Sequence, residues 1–286
     1  MQKQTIEKKK RKRIIQNWVR RFIQLVFFIF LPSLFSEAFA GVKNVFVAVG
    51  QWKCLEYQTF TQTFVILSVI TIVFGRYFCG YACAFGSLGD FIYGIRKFME
   101  KKAKKRFPTI PETVSLKMQK AKYINLLVIL SVCVIGFEKK LGNNSPWETF
   151  SKLRIGNVDL VATGWLGVIF WGIIIIGMFC KERFFCQYLC PLGAIFSLLP
   201  ILPTGTLNRK RNECIKGCGA CKKQCPVHHQ PEGISLHSNE CIQCGKCRML
   251  CPKGNIGIII KNKMFSQKDC IKELQGEHYK RKEFLQ

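Results

Sequence analysis

The sequence predicts a membrane α-helical protein whose chain ends in a small, cysteine-rich α+β domain. Three observations predict this class. Apolar windows alternate with basic segments, an eleven-residue motif recurs 107 positions further along, and eight cysteines form two runs near the C-terminus. We divide the chain into a basic N-terminus (1–21), a transmembrane region (22–202), a linker (203–213), the cysteine-rich domain (214–260) and a charged tail (261–286).

The composition sets apolar and basic residues apart. Hydrophobic residues make up 49% of the 286 positions, which excludes a disordered chain. Lys and Arg outnumber Asp and Glu by 44 to 17, for a net charge of +27. The 16 cysteines are too many for chance, in a chain too long for a small secreted disulfide scaffold. A metal-rich membrane protein and a nucleic-acid binder are the classes that remain.

Four apolar windows are long enough to cross a bilayer, for which about 20 residues are needed. They run over Phe22–Ala40, Phe60–Phe78, Ala121–Phe137 and Leu160–Cys180. Pro32 lies inside the first window and is expected to kink that helix, which membrane helices tolerate. The sequence Ala38-Phe39-Ala40 resembles a signal-peptidase site, but the long basic N-terminus and the span-length window favour a retained helix.

Basic residues are concentrated on alternate sides of these windows. Of the 44 Lys and Arg, 38 fall in the N-terminus, in segment 76–122 and after Cys180, and six fall in the two other loops. The positive-inside rule therefore predicts a multi-pass protein of the cell (cytoplasmic) membrane, surrounded by lipid, with both termini in the cytoplasm. This orientation accounts for the basic surplus, so no nucleic acid partner is predicted.

The recurring motif carries two cysteine pairs. Residues 76–86 (RYFCGYACAFG) align with 183–193 (RFFCQYLCPLG), and Arg, Phe, Cys, Tyr, Cys and Gly coincide. Each copy follows a window that runs from outside to inside, so the repeats are parallel and related by an axis along the membrane normal. Both pairs, Cys79 with Cys83 and Cys186 with Cys190, are expected at the cytoplasmic rim of the membrane.

The spacing of these four rim cysteines leaves their role open. At positions i and i+4 of a helix, Cβ atoms lie about 5–6 Å apart, whereas a disulfide needs about 3.5–4.5 Å. A bridge within one helix is therefore disfavoured. If the repeat axis brings the pairs together, four thiolates suffice for a third metal or redox centre. The alternative is that they are small buried thiols that pack helices together.

The two C-terminal cysteine runs carry the strongest chemical signal. The second run, which ends in Cys251-Pro252, has the spacing of bacterial two-cluster ferredoxins, and the first, which ends in Cys225-Pro226, has one extra residue before Cys218. In this pattern the fourth cysteine ligates the other cluster. We therefore assign a first 4Fe-4S cluster (cluster 1) to Cys214, Cys218, Cys221 and Cys251. The second (cluster 2) is assigned to Cys241, Cys244, Cys247 and Cys225.

Other ligand sets are weaker. Paired zinc ribbons are possible for eight cysteines, but two runs that each close with Cys-Pro favour iron–sulfur clusters. His228 and His229 are expected to be exposed loop residues. No catalytic residue is predicted.

The combination of helices, two Cys-x-x-x-Cys motifs and a two-cluster ferredoxin resembles the NapH/NosR-like family of polytopic membrane 4Fe-4S ferredoxin-type proteins, over roughly residues 18–260. The resemblance implies electron transfer from membrane quinol towards reductases or maturation systems outside the cytoplasmic membrane. It implies the same eight cluster ligands, and Cys79, Cys83, Cys186 and Cys190 match the membrane motifs. The second motif has the family's Cys-Pro, whereas the first has Ala84 in place of proline.

Two functions stay open. The first is a membrane-bound electron-transfer subunit, quinol dehydrogenase-like and not a complete enzyme, that connects the quinone pool or a cytoplasmic donor with a partner reductase. The second is a redox-active assembly, maturation or regulatory protein for a metalloenzyme, which uses the rim cysteines. Replacing those four cysteines with serine separates the two functions.

Overall fold

The computed structural model describes residues 2–31, 33–50, 59–135, 165–200, 202, 205–209, 214–215, 217–227, 240–260 and 263–266. Contacts divide the chain into two compact units. The larger unit comprises Phe22–Val69 and Phe78–Leu199, and the smaller comprises Met1–Arg21, Ile70–Tyr77 and Pro200–Gln286. Cys54, Cys270 and the His228-His229 pair lie outside the described residues.

Helices form over the described parts of the apolar windows, and further helices lie between the windows. Their bounds are α1 Gln2–Phe30, α2 Leu34–Gly50, α3 Thr59–Phe74, α4 Ala84–Ala103, α5 Glu112–Met118, α6 Ala121–Ile135, α7 Trp165–Cys180, α8 Phe184–Tyr188 and α9 Pro191–Leu198. A π-helical turn, Phe78–Ala82, precedes α4. Within the larger unit α2 packs on α6, and α4 packs on α7.

One helical stretch among the described residues, Glu112–Ile135, is long and apolar enough by itself to cross a membrane. The helices Ile14–Phe30 and Leu34–Ala48 meet the same criterion only as a broken pair. Helices α3 and α7 are apolar but have 16 residues each, fewer than the about 20 that a bilayer requires. The count of four membrane-spanning helices stays a prediction.

The first window contains two helices instead of the single kinked helix expected from its sequence. Helix α1 ends at Phe30 and α2 begins at Leu34. A proline at position 32 of the sequence lacks an amide hydrogen and disfavours helical backbone at the residue before it, so the helix stops there. Ala38 and Phe39, from the signal-peptidase-like sequence, lie inside α2 and are buried.

An apolar core that includes the rim cysteines stabilises the larger unit. The ring of Phe85 lies 4.9 Å from that of Phe35 and 4.8 Å from that of Phe185, measured between centroids. Cys83 and Cys190 are buried in this core, and Cys79 and Cys186 pack against it. The two copies of the repeat therefore meet inside the larger unit.

A three-stranded antiparallel sheet supports the cysteine runs of the smaller unit. Its strands are β1 Leu207–Arg209, β2 Ile256–Ile260 and β3 Lys263–Ser266, in that order, and short helices α10 Ala220–Lys223 and α11 Lys246–Leu250 accompany them. Buried Leu207 and Ile256 pack against Cys221, Cys247 and Cys251. Strand β1 lies within the predicted linker and β3 within the predicted tail, so the sheet extends past both sides of 214–260.

Candidate functional site

The eight cysteines of the smaller unit line two pockets. One pocket is lined by the four cysteines assigned to cluster 2, Cys225, Cys241, Cys244 and Cys247, together with Cys221. The other is lined by the four assigned to cluster 1, Cys214, Cys218, Cys221 and Cys251. Cys221 lines both pockets and therefore lies between them. The extra residue before Cys218 does not displace Cys214 from its pocket.

The donor chemistry of both pockets fits iron–sulfur clusters. Soft thiolates are the ligands of such clusters, and each pocket offers at least four thiols among apolar neighbours such as Val227 and Ile256. Nowhere in the described ranges do three His, Cys, Asp or Glu side chains converge on one ion position. A 4Fe-4S cluster binds one cysteine at each iron, so its ligands surround a volume. The assignment of ligands to clusters stays a prediction.

The two pockets differ in solvent access. Burial raises the pKa of the Cys241 thiol to about 11, although a hydrogen bond from the Gln243 backbone amide acts in the opposite direction. Burial and the neighbouring Cys244 also raise the pKa of Cys247. In the cluster 1 pocket Cys218 is exposed. Buried thiols favour the neutral form until a metal replaces the proton, so the cluster 2 pocket is the less hydrated of the two.

Two arginines of the smaller unit approach the cysteines. Arg209, on β1, donates a hydrogen bond from Nη1 to Sγ of Cys221 at 3.6 Å. Arg76, nearly fully buried, pairs with Glu240 at 3.2 Å, and its charge lowers the pKa of Cys241. In the sequence, Arg76 stands out only as a repeat position, and Arg209 was missed. Arg209 begins a run of three basic residues, which is indistinguishable by sequence from a solvated surface.

The end of α3 belongs to the same unit as the cysteine runs. Gly75 ends this helix with a φ of 82°, a conformation that favours glycine, and a Cβ there would lie 3.1 Å from Nε2 of Gln243. The Tyr77 hydroxyl donates to the Gly205 carbonyl at 3.1 Å, and the Leu202 amide donates to the Ile72 carbonyl at 2.7 Å. The C-terminal end of the second apolar window therefore contacts the segment before the cysteine-rich domain and Gln243 within that domain.

In the larger unit, both Cys-x-x-x-Cys motifs form the same turn. The amides of Cys83 and Cys190 each donate to the carbonyl five residues earlier, at 2.9 Å in both copies. The φ and ψ angles are −68° and 122° at Cys83, and −70° and 112° at Cys190. Neither pair lies within one regular helix, because the second cysteine is the N-cap of the next helix. Turns with this five-residue hydrogen bond are rare in proteins, and those that occur are often found at functional sites.

The second motif has a side-chain cap. Sγ of Cys190 accepts a hydrogen bond from the Gly193 amide at 3.2 Å. Cys83 has no side-chain cap hydrogen bond, and the Gly86 amide lowers its pKa. Pro191 is the first residue of α9, where its missing amide costs nothing, and Ala84 has the same place in α4. The replacement of proline by alanine in the first motif therefore leaves the cap geometry unchanged.

The structure brings the four rim cysteines together. Burial is the largest cause of the raised pKa values of Cys83 and Cys190, and the thiolate charges of the other rim cysteines raise them further. Burial raises the pKa of Cys186 to about 11, although the positive charge of Arg183 acts in the opposite direction. None of the four forms a disulfide among the described residues. The four thiols thus influence one another electrostatically, and a shared metal or redox centre stays a prediction.

A buried arginine links the two turns. Arg183 donates hydrogen bonds from Nε and Nη2 to the Asp90 carboxylate at 2.8 and 2.7 Å. It also donates from Nη2 to the Gly80 carbonyl and from Nη1 to the Cys79 carbonyl. Gln24 donates to the same carboxylate at 2.8 Å and to the Gly80 carbonyl at 3.2 Å. Asp90 and Gln24 were missed, because neither lies in the repeated motif. This network fixes the backbone of the first turn at Cys79.

Alanine at the two repeat glycines is expected to have unequal effects. A Cβ on Gly86 would meet the Arg183 guanidinium and lie 3.0 Å from the Cys79 carbonyl oxygen, whereas the nearest atoms to a Cβ on Gly193 are at 3.4 Å. Because Arg183 is held by its ion pair, Gly86→Ala should lower the free energy of unfolding by about 1–3 kcal/mol. Gly193→Ala should cost less than half as much. Thermal unfolding of both variants in parallel measures the difference, and equal losses would contradict it.

Sequence comparison matches residues 63–106 and 163–203 to a family described as a 4Fe-4S binding domain. An uncharacterized protein of Methanocaldococcus jannaschii is 29% identical over 253 residues, 82% of this chain and 92% of the relative. Regulatory protein NosR of Pseudomonas aeruginosa is 27% identical over 184 residues (62% and 24%), and ferredoxin-type protein NapH of Escherichia coli is 23% identical over 197 residues (65% and 63%). These matches support a NapH/NosR-like ferredoxin-type family for this chain.

The similarity to these proteins supports iron–sulfur clusters as the cofactors of this chain and electron transfer as its type of function. The two matched segments contain both Cys-x-x-x-Cys turns and end before Cys214. No solved structure matches the chain.

Proposed function

We propose that this protein is a membrane-bound iron–sulfur protein that relays electrons between the quinone pool, or a cytoplasmic donor, and a partner reductase. The observation that carries the proposal is the pair of cysteine-lined pockets, which share Cys221 within one compact unit. Clusters held there would accept and release electrons. The chain itself would supply the thiolates, the apolar shell and the nearby charges. We propose a subunit of an oxidoreductase system instead of a complete enzyme.

The membrane setting of this proposal has two supports. Basic segments alternate with the apolar windows, a pattern that supports a multi-pass protein with both termini in the cytoplasm. The apolar residues of α7, including Phe170 and Ile176, are largely exposed in the larger unit, as lipid-facing residues would be. Membrane lipid and quinol are the corresponding partners.

We also propose that the four rim cysteines hold a third metal or redox centre. Two equivalent turns bring Cys79, Cys83, Cys186 and Cys190 to one place, and the 4Fe-4S binding domain family covers both turns. Four thiols in this arrangement provide the donor set of a cluster.

The second candidate function is the assembly, maturation or regulation of a metalloenzyme through the rim cysteines. The name of one relative, regulatory protein NosR, favours it. Serine at all four rim positions distinguishes the candidates. If clusters 1 and 2 and electron throughput survive while a partner metalloenzyme loses its metal, assembly is the function; if throughput stops, the rim cysteines belong to the electron path.

Reduction by quinol is the direct test of the relay. The full chain is purified anaerobically in lipid, and electron paramagnetic resonance spectra are recorded before and after a reduced menaquinone analogue is added. Cluster signals that appear with the quinol are the expected result. Signals that appear only with dithionite would contradict a quinol-oxidising relay and favour a low-potential cytoplasmic donor or the assembly function.

A further inference from the structure

The guanidinium of Arg209 donates a hydrogen bond to Sγ of the cluster cysteine Cys221. We infer that this bond raises the reduction potential of cluster 1 and makes the two clusters unequal. The inference rests on the proposed function, because it requires a cluster on Cys214, Cys218, Cys221 and Cys251. Arg209 is a positioning residue here, since it acts on the cluster through a ligand.

The sheet fixes the position of Arg209. Its backbone lies on β1 opposite Ile256 of β2, and Ile256 is buried. Both residues line the cluster 1 pocket. From this strand the guanidinium reaches Sγ of Cys221 at 3.6 Å. Because the strand pairing sets the direction of the side chain, the contact follows from the fold and not from a mobile surface residue.

A cation that donates to a ligand sulfur favours the reduced cluster. Reduction adds one negative charge, and a nearby positive charge and sulfur hydrogen bonds stabilise that charge. The cluster 1 pocket has a second donor, since the Asn255 amide bonds to Sγ of Cys251 at 3.3 Å. The cluster 2 thiols Cys241 and Cys247 also have backbone donors, the amides of Gln243 and Arg248. The pockets therefore differ in the cation, because the charge of Arg76 near Cys241 is opposed by Glu240, 3.2 Å away. Cluster 1 should therefore be reduced first.

A redox titration of the full chain in lipid, followed by electron paramagnetic resonance, tests this role. The two signals are assigned beforehand with Cys218→Ser and Cys244→Ser. Arg209→Gln is expected to change the reduction equilibrium constant of cluster 1 about tenfold, towards the oxidised form, which is about 59 mV for one electron. Cluster 2 should keep its potential. Arg209→Lys retains the charge and should shift cluster 1 less than Arg209→Gln does.

Lys253→Gln is the matched control. Lys253 also lines the cluster 1 pocket, but it is exposed, so solvent screens its charge. Lys253→Gln should therefore change the reduction equilibrium constant of cluster 1 less than twofold. The inference is overturned if Arg209→Gln behaves like Lys253→Gln, or if it moves both clusters equally. Should Arg209→Gln fail to assemble cluster 1, Arg209→Met is measured in its place, and an unchanged potential of cluster 1 in that variant overturns the inference. A wild-type chain without two cluster signals would instead overturn the proposed function.

Discussion

Asp90→Asn is expected to destabilise the larger unit by about 3–5 kcal/mol, because it leaves Arg183 buried without a counter-ion. The Arg183 side chain is 0% exposed and that of Asp90 is 14% exposed, so water cannot replace the lost carboxylate charge. Asparagine has nearly the same shape, which restricts the change to charge and hydrogen bonding. Thermal unfolding of the full chain in detergent or lipid gives the loss.

A paired replacement separates charge burial from lost packing. Arg183→Met combined with Asp90→Leu removes both charges, and replacing a buried pair by apolar residues is often close to neutral. Recovery should be partial, because the carbonyls of Gly80 and Cys79 also lose the Arg183 donor. A loss under about 1 kcal/mol for Asp90→Asn alone would contradict the role of this pair as the link between the turns. Labelling of Cys79 by a thiol reagent should increase in step with the destabilisation.

The sequence was informative about the turns and silent about what links them. Coincident Arg, Phe, Cys, Tyr, Cys and Gly predict two similar local structures, and the caps at Cys83 and Cys190 agree within 10° in φ and ψ. The link depends on Asp90 and Gln24, which are 66 positions apart. A contact between distant single residues has no periodicity or spacing, so one sequence cannot indicate it.

Equivalent positions of the repeat also acquired different partners. Arg76 and Arg183 occupy the same place in the motif, yet Arg76 pairs with Glu240 and Arg183 with Asp90. These partners belong to different units: Glu240 lies in the smaller unit and Asp90 lies in the larger unit. A repeat in sequence therefore predicts backbone similarity better than it predicts the interactions of each side chain.

Short elements explain the remaining differences. Strand β1 has three residues, too few for an alternating pattern, and it was assigned to a linker for that reason. The orientation of Arg209 depends on that strand, so its approach to Cys221 could not be predicted either. The cysteine spacing, by contrast, is a strong signal because it encodes the geometry of the ligand set.

Cys225→Ser is expected to remove cluster 2 and leave cluster 1, although Cys225 belongs to the first cysteine run. Cys225 lines the pocket of Cys241, Cys244 and Cys247, and the following Pro226 lines it as well. Loss of one thiolate from a four-ligand site removes the cluster or leaves it degraded. Bound iron should fall by about four atoms per chain, and one of two sets of resonance signals should vanish.

The comparison among cysteine variants tests the crossed assignment directly. Cys225→Ser should reproduce the spectrum of Cys244→Ser, and Cys251→Ser should reproduce that of Cys218→Ser. A sequential assignment, with one run per cluster, predicts the opposite pairing, so a match between Cys225→Ser and Cys218→Ser would contradict the crossed one. Cys180→Ser is the control, since Cys180 ends α7 in the larger unit and should change neither signal. Cys221→Ser should disturb both clusters, because Cys221 lines both pockets.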